Sequence, residues 1–388
     1  MSKLWSENKN INIIINVLIF LSAVNFLHLG QIFIPIICLI LFIDNKFVFK
    51  VNNVYCFILL CLFGLSFLAF TYNYTIYCVA GLFIPMAYYI GSNIKNKNNI
   101  KELIYLISYS QAFHLVLNFI YELATRGIII MRKMNHYDIW TKDILSTTAL
   151  ATNMIMLIGC IVYIFLYEKE KKYKNVGISL FVVVMIYNIA LGRRTPLLIL
   201  GIVLITGLYL DEIKYKIKSI NSKTYKSILL VLLGCIGLIG VIYFFNIFGL
   251  KEIINSLNII DKLFKDGFHS DRLDLFVQAI KLAPYHLWGK QEISNIIGIY
   301  VHDLWMDTYD YAGIITYLLL VIHTIYFINI FIKVIKRNDI DNKYKVLFIT
   351  LFVAITIQML LEPIMSGSSI FLIMTILLEA ALEGLIHE

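Results

Sequence analysis

The sequence predicts an all-α polytopic membrane protein with about twelve transmembrane helices. Three observations predict it. Apolar residues make up 60% of the 388, against roughly 45–50% in soluble domains. They are gathered into runs close to the ~20 residues that a helix needs to cross the hydrocarbon layer. The lysines collect between alternate runs, the asymmetry expected when short basic loops stay on the cytoplasmic side. Charged residues are only 15% of the chain, too few to cover that much apolar surface in water. One helical bundle, residues 1–388, takes up the whole chain as a single domain.

The predicted spans are 11–27, 29–43, 54–71, 74–93, 103–121, 144–167, 176–192, 196–210, 227–248, 312–335, 346–362 and 369–386. The first follows Lys3 and Lys9. It has no small-residue cleavage site after it, so it reads as an uncleaved span rather than a signal peptide. Asn25, His28, Gly30 and Gln31 break the run 11–43 into a hairpin of two spans. With an even count and a cytoplasmic N-terminus, the inner segments hold Lys3 and Lys9; Lys46 and Lys50; Lys95, Lys97 and Lys101; Lys169, Lys171, Lys172 and Lys174. They also hold Lys214, Lys216, Lys218, Lys223 and Lys226, and finally Lys333, Lys336, Arg337, Lys343 and Lys345. These are most of the 33 basic residues, so the net charge of +8 is a topology signal. It is not a nucleic-acid footprint, and both termini are expected inside.

The outer side carries short turns, a loop at 122–143 and a long extracytoplasmic segment at 249–311. A structureless segment of that length is uncommon and usually functional, and this one reads as short amphipathic helices on the membrane surface. Trp140, Trp288 and Trp305 lie in these two outer segments, as interfacial aromatics do. The six cysteines (Cys38, Cys56, Cys61, Cys78, Cys160, Cys235) sit inside apolar runs without CxxC spacing, so they read as small buried hydrophobes. Gly234, Gly237 and Gly240 fall within a span and read as a close helix-packing face. His114 and Gln358, also within spans, read as helix–helix hydrogen-bond partners.

A few polar residues run against this pattern. Arg193 and Arg194 sit at an outer turn, in Leu191-Gly-Arg-Arg-Thr-Pro196, and guanidinium forks match phosphate oxygens in bidentate fashion. Pro196 suits a first helical turn. Arg272 stands between carboxylates in His269-Ser-Asp-Arg-Leu-Asp274. His302, Asp303, Asp307 and Asp310 cluster just before the tenth span. Helical spacing puts the three aspartates near one face, where they could hold a hard cation or be solvated. His302 titrates near neutral pH and suits a base. Glu362 adds an outward carboxylate, while Glu379 and Glu383 lie one turn apart near the inner face.

In order along the chain, Arg194-Thr195 opens a span. Arg272 then begins a stretch ending Ala283-Pro-Tyr-His-Leu-Trp-Gly289, and His302 precedes Gly313 at the entry to another span. Together these resemble the O-antigen ligase and O-antigen polymerase superfamily of bacterial membrane glycosyltransferases, over roughly residues 140–335. Arg193, Asp271, Asp303 and Thr316 stand where that family often has other residues.

The resemblance implies a GT-C-like bundle in the bacterial cytoplasmic membrane with its active site on the outer face. It implies a polyprenyl-diphosphate-linked glycan as donor, and neither metal nor other cofactor. The family's partners are membrane lipid and, around the enzyme, flippase and chain-length regulator proteins. By that likeness Arg193, Arg194 and Arg272 would bind the diphosphate. Arg194, Arg272, His302 and Asp303 would be the catalytic set. The expected activity is polymerisation of undecaprenyl-diphosphate-linked repeat units for a capsule, exopolysaccharide or O-antigen. Ligase-type transfer of the finished glycan to another acceptor is the close alternative, and a polysaccharide flippase or transporter the rival from another class. A scaffold for polysaccharide export is the third.

Overall fold

The structure, a computed structural model, describes residues 5–6, 8–71, 76–94, 96–126, 136–142, 144–145, 147–191, 193, 195–214, 271–299, 301–362 and 364–386. The helices are α1 (Lys9–Ala23), α2 (Phe33–Asp44), α3 (Val54–Phe70), α4 (Ile76–Ser92) and α5 (Lys97–Arg126). Then come α6 (Thr147–Thr152), α7 (Ile155–Leu166), α8 (Lys171–Leu191) and α9 (Thr195–Tyr209). The later part has α10 (Asp271–Leu282), α11 (Glu292–Ile297), α12 (Leu304–Lys336), α13 (Asn342–Leu361), α14 (Ile364–Gly367) and α15 (Ser369–Gly384). Among the described residues five stretches are long and apolar enough to cross a membrane: 97–126, 149–166, 171–191, 304–336 and 342–361.

Helix α12 shows why this is a membrane architecture. Ile315, Leu318, Ile322, Ile325, Ile328 and Ile332 are all exposed at three- and four-residue spacing, so one whole face of the helix is apolar and unburied. In water such a stripe would drive aggregation; in lipid it is ordinary. Among apolar tails the hydrophobic effect no longer pulls helices together, and close backbone approach takes over. Helices α3 and α4 meet where a Cβ on Gly64 would stand 2.3 Å from the Gly81 carbonyl oxygen, and α4 meets α15 where a Cβ on Gly91 would stand 2.2 Å from that of Leu377. The small-residue face expected at Gly234, Gly237 and Gly240, and the ninth span around it, lie outside the described residues.

The chain ends interleave. The C-terminal α15 packs on α4, and α13 packs on both α7 and α9, while α5 pairs with α8. The predicted break between the first two spans is present. Asn25, Leu27 and His28 all adopt left-handed φ, and two 3₁₀ turns, Phe26–His28 and Gly30–Ile32, reverse the chain. The sixth span differs from expectation. Ile144–Leu145 pairs as a short strand with His136–Tyr137, and the helix starts only at Thr147, with a turn between α6 and α7.

The two ends of the bundle are chemically distinct. At the lysine-rich end, Lys101 Nζ pairs with Glu168 at 3.2 Å, Lys97 Nζ donates to the Asp339 carbonyl at 3.2 Å, and Tyr344 bonds Asn98. At the opposite end, Gln31 Nε2 donates to Ser369 Oγ at 2.6 Å, Thr195 Oγ1 donates to Glu362 Oε1 at 2.9 Å, and Trp288 packs on Phe70.

Candidate functional site at the end opposite the lysines

The site is organised by a break in α12. Gly313 has φ 76° and ψ −177°, a conformation essentially reserved for glycine. A helix broken there leaves carbonyls and amides without intrahelical partners, and the segment 287–294 satisfies them. The Leu287 carbonyl accepts from Ile314 N–H at 2.9 Å, while Gln291 N–H donates to the Asp310 carbonyl at 2.7 Å and Lys290 N–H to that of Tyr311 at 3.3 Å. Gly289, at φ 74°, lies so close that a Cβ would stand 2.5 Å from Gly313 N. The outer part of α12, residues 304–312, is thereby strapped to the amphipathic segment. A small apolar cluster of Ala279, Ile293, Val301, Met306 and Tyr309 joins the two. Phe276, Val277 and Ile280 of α10 stay exposed, as expected for a helix lying in an interface.

Asp303 caps this broken helix. Its backbone is extended, and Oδ1 accepts from Met306 N–H at 2.7 Å. The residue is buried, and among the described residues its Oδ2 has no hydrogen-bond partner. Burial pushes its carboxyl up to about 6, against the lowering effect of the Met306 and Trp305 amides. A carboxylate in that range, with one oxygen uncommitted, is equipped to exchange a proton near neutral pH. His302 stands next to it, half-buried, immediately before the cap.

The other aspartates do different work. Asp310 Oδ1 accepts from Ile293 N–H at 3.0 Å and Ser294 N–H at 3.3 Å, and Oδ2 from the Ser294 hydroxyl. It therefore caps α11. With Asp303 and Asp310 each holding a helix start, the three aspartates do not form the cation site that their spacing allowed. Among the described residues no three histidine, cysteine or carboxylate groups gather in a metal-binding arrangement.

Of the arginines, Arg194 lies outside the described residues. Arg272 is placed in α10 by its backbone, and its side chain lies outside the description too. Arg193 is half-buried at the end of α8. There its carbonyl accepts from Asn188 Nδ2 at 3.1 Å. The Thr195–Glu362 bond fixes the start of α9 to the outer end of α13, with Pro196 in the first turn. Helix α14, two residues beyond Glu362, packs against α12. The start of α9, next along the chain from Arg193, is thus tied to Glu362, and α14 just beyond Glu362 packs on the helix that Asp303 caps.

Two polar groups escaped the sequence reading. Asp138 is fully buried. Its Oδ2 lies 3.0 Å from His114 Nε2 and 3.4 Å from His28 Nε2, and its Oδ1 accepts from Trp140 N–H at 2.7 Å. Burial raises its carboxyl, but bonds to His114, His28 and the Trp140 amide outweigh that and hold it below the usual carboxylate range. Close by, Glu122 takes His136 Nδ1 at 2.8 Å and the Tyr187 hydroxyl at 3.2 Å. Only the length of the 122–143 loop hinted at either. His114 was expected to bond a neighbouring helix and instead bonds the loop, whereas Gln358 Nε2 does bond across helices, to Thr152 Oγ1 at 2.7 Å.

Within the bundle, His323 Nε2 lies 3.4 Å from Glu379 Oε2, beside a largely apolar cavity of about 170 Å³ that Trp305 and Thr324 also line. One turn further, Glu383 accepts from the hydroxyls of Tyr88 and Tyr326. Neither a protein-family model nor a curated protein matches this chain.

Proposed function

We propose that the chain is a twelve-span, GT-C-like glycosyltransferase of the bacterial cytoplasmic membrane, with both termini inside. It polymerises polyprenyl-diphosphate-linked repeat units at the outer face. The observation that carries this reading is Asp303: a buried carboxyl with one oxygen pinned by a helix amide and the other unpartnered, next to His302 and at the end of the bundle away from the lysines. In the reaction, the acceptor hydroxyl attacks the anomeric carbon, and the bond from that carbon to the diphosphate oxygen breaks. The hydroxyl proton passes to His302 or Asp303, and the polyprenyl diphosphate departs with the electron pair. In-line attack inverts the anomeric centre. Arg193, Arg194 and Arg272 would offset the charge that develops on the leaving diphosphate, the kind of preorganised electrostatics that often dominates catalysis. Transfer of a finished glycan to a different acceptor uses the same chemistry.

Purified protein given a lipid-linked repeat unit should yield a ladder of longer lipid-linked glycans. Arg194→Ala, Arg272→Ala and His302→Ala should each abolish it in protein that remains folded. A single transfer product without a ladder would assign the ligase activity. Unchanged elongation in all three variants would sink the catalytic reading.

A transporter is the second reading, favoured by the His323–Glu379 pair inside the bundle. Intramembrane ionisable residues are rare and commonly mark ion or substrate pathways. On that reading His323→Leu would abolish movement of a lipid-linked sugar across proteoliposomes, and no new glycosidic bond would form.

A further inference from the structure

Beyond the His302–Asp303 helix start, the same end of the bundle holds a second cavity, of about 140 Å³, between the α1–α2 hairpin, α5, the α6–α7 turn and the start of α15. A single water needs only about 10–15 Å³ of such space, so the cavity is large for isolated waters. Its lining is divided. Leu145, Leu150 and Ile370 supply apolar surface, Gln31, Asn153, Ser368 and Ser369 supply neutral hydrogen-bonding groups, and His28 and His114 add two imidazoles. Among the described residues no lysine or arginine lines it.

Three of the lining's polar atoms lack a partner among the described residues. His114 Nδ1, Asn153 Oδ1 and Gln31 Oε1 make no hydrogen bond there, and His114 and Asn153 are more than nine-tenths buried. Buried polar atoms are nearly always bonded, and an exception calls for a ligand or water to complete it. The orientation of His114 is also fixed. With Asp138 accepting at Nε2, that nitrogen carries the hydrogen, and the neutral tautomer of this ring leaves a lone pair on Nδ1. Asp138 is itself held by His28 and two backbone amides, so the imidazole cannot easily turn. A set of neutral acceptors and hydroxyls beside an apolar wall is what a sugar ring requires, with its alternating hydroxyl and C–H faces. It does not suit a phosphate or a metal ion.

We propose that this cavity is a saccharide-binding subsite in which His114 Nδ1 and Asn153 Oδ1 accept hydrogen bonds from sugar hydroxyls. The proposal rests on the glycan-transfer reading, and it adds where a sugar unit of the donor or the acceptor is held. His114 here is a positioning residue.

The test uses the full-length protein in nanodiscs and, as probe, the repeat-unit oligosaccharide released by mild acid from the lipid-linked glycan of cells that express it. Trp140 reports binding, because its ring stacks on His114 with centroids 6.2 Å apart. The oligosaccharide should change Trp140 emission saturably, and Trp140→Phe should remove the signal. Asn153→Leu should weaken binding about tenfold, the loss of one good hydrogen bond. It should not lower the thermal midpoint, since an apolar side chain replaces an unsatisfied buried polar one. A structural role alone would move the midpoint and leave binding alone.

Source is read from elongation with a diphosphate-free glycan acceptor. If the subsite holds the acceptor, Asn153→Leu raises the acceptor concentration for half-maximal rate and leaves the donor's unchanged; if it holds the donor glycan, the reverse. Elongation that proceeds while Asn153→Leu and His114→Leu bind oligosaccharide as the wild type does would overturn the subsite and leave the enzyme reading intact. Saturable binding that the variants lose, in a protein that never elongates, would keep the subsite and overturn the transferase.

Discussion

Replacing Gly313 by alanine should detach the outer part of α12 while the bundle stays folded. Alanine at φ 76°, ψ −177° carries strain of about 1–3 kcal/mol. Its Cβ would also stand 2.7 Å from the Leu287 carbonyl oxygen and 2.9 Å from the Trp288 carbonyl carbon. Both are backbone atoms, so the strap itself must move. That movement threatens the three hydrogen bonds between 287–291 and 310–314, each worth about 0.5–1.5 kcal/mol net. If two are lost, the local penalty is roughly 2–6 kcal/mol in total. Helix α12 beyond the break still packs on α3, so the loss should be confined. Hydrogen exchange by mass spectrometry is the assay. A local loss of about 3 kcal/mol speeds exchange more than a hundredfold in peptides covering 287–299 and 301–313, with little change in α4 or α15. Gly201→Ala is the control, because nothing lies within 4 Å of its added Cβ. Protection at 287–299 unchanged within about threefold would refute the idea that Gly313 fastens the strap.

Three further outcomes follow from the same geometry. The Asp303 carboxyl is raised to about 6, so the folded state prefers it protonated. Its contribution to stability is full in acid, below about pH 4, and is lost as pH rises through about 6. Relative to Asp303→Asn, the wild type should lose up to about 3 kcal/mol between pH 4 and pH 7.5 in thermal unfolding, and a gain over that range would contradict the burial argument. Thr195→Val should cost about 1–3 kcal/mol, the cost of leaving a buried carboxyl oxygen without its donor, and should be nearly silent in a Glu362→Met background, which has no acceptor there; additive losses in that double-mutant cycle would show the two are uncoupled. Single cysteines placed at Lys172 or Lys343 should react with an impermeant maleimide only after the cells are opened, and one at Lys290 in intact cells. The opposite pattern would invert the topology.

The long apolar helices of the described residues were legible because lipid imposes a length and a composition on a span, and both are visible in one dimension. The break at 24–32 was legible for the same reason: Asn25, His28, Gly30 and Gln31 interrupt an apolar run. The tenth span was located but its start was not. Helix α12 begins at Leu304, nine residues before Gly313, because Asp303 caps it and the strap supplies the bonds that Gly313 breaks. Those partners come from residues 287–291, and no periodicity announces a contact that spans a turn and a short helix. Asp138 was invisible because its chemistry depends on His28 and His114, which stand 110 and 24 residues earlier in the chain. The second duty of Asp310 was equally hidden. Its spacing from Asp303 and Asp307 suggests a shared face, and only the fold shows that it also caps α11.

The buried carboxylates at this end can be sorted by what their oxygens have left to do. Asp310 accepts two amides and a hydroxyl, and Asp138 accepts two amides and faces two imidazoles. Glu122 holds His136 and Tyr187. Protonating or removing any of these leaves several donors without acceptors, a penalty that falls on folding. Asp303 accepts through Oδ1, and among the described residues nothing bonds its Oδ2; burial pushes its carboxyl up to about 6 against the lowering effect of the Met306 and Trp305 amides. A carboxylate that can gain a proton without breaking a bond can trade protons with a substrate while its helix stays capped. Asp138 has given up that freedom, and what it gains is a fixed His114. On the proposed glycan transfer, the group that handles the proton and the group that orients a histidine are therefore different residues at one end of one bundle. Substitution at Asp303 should act on rate and its pH dependence, and substitution at Asp138 on the affinity for sugar.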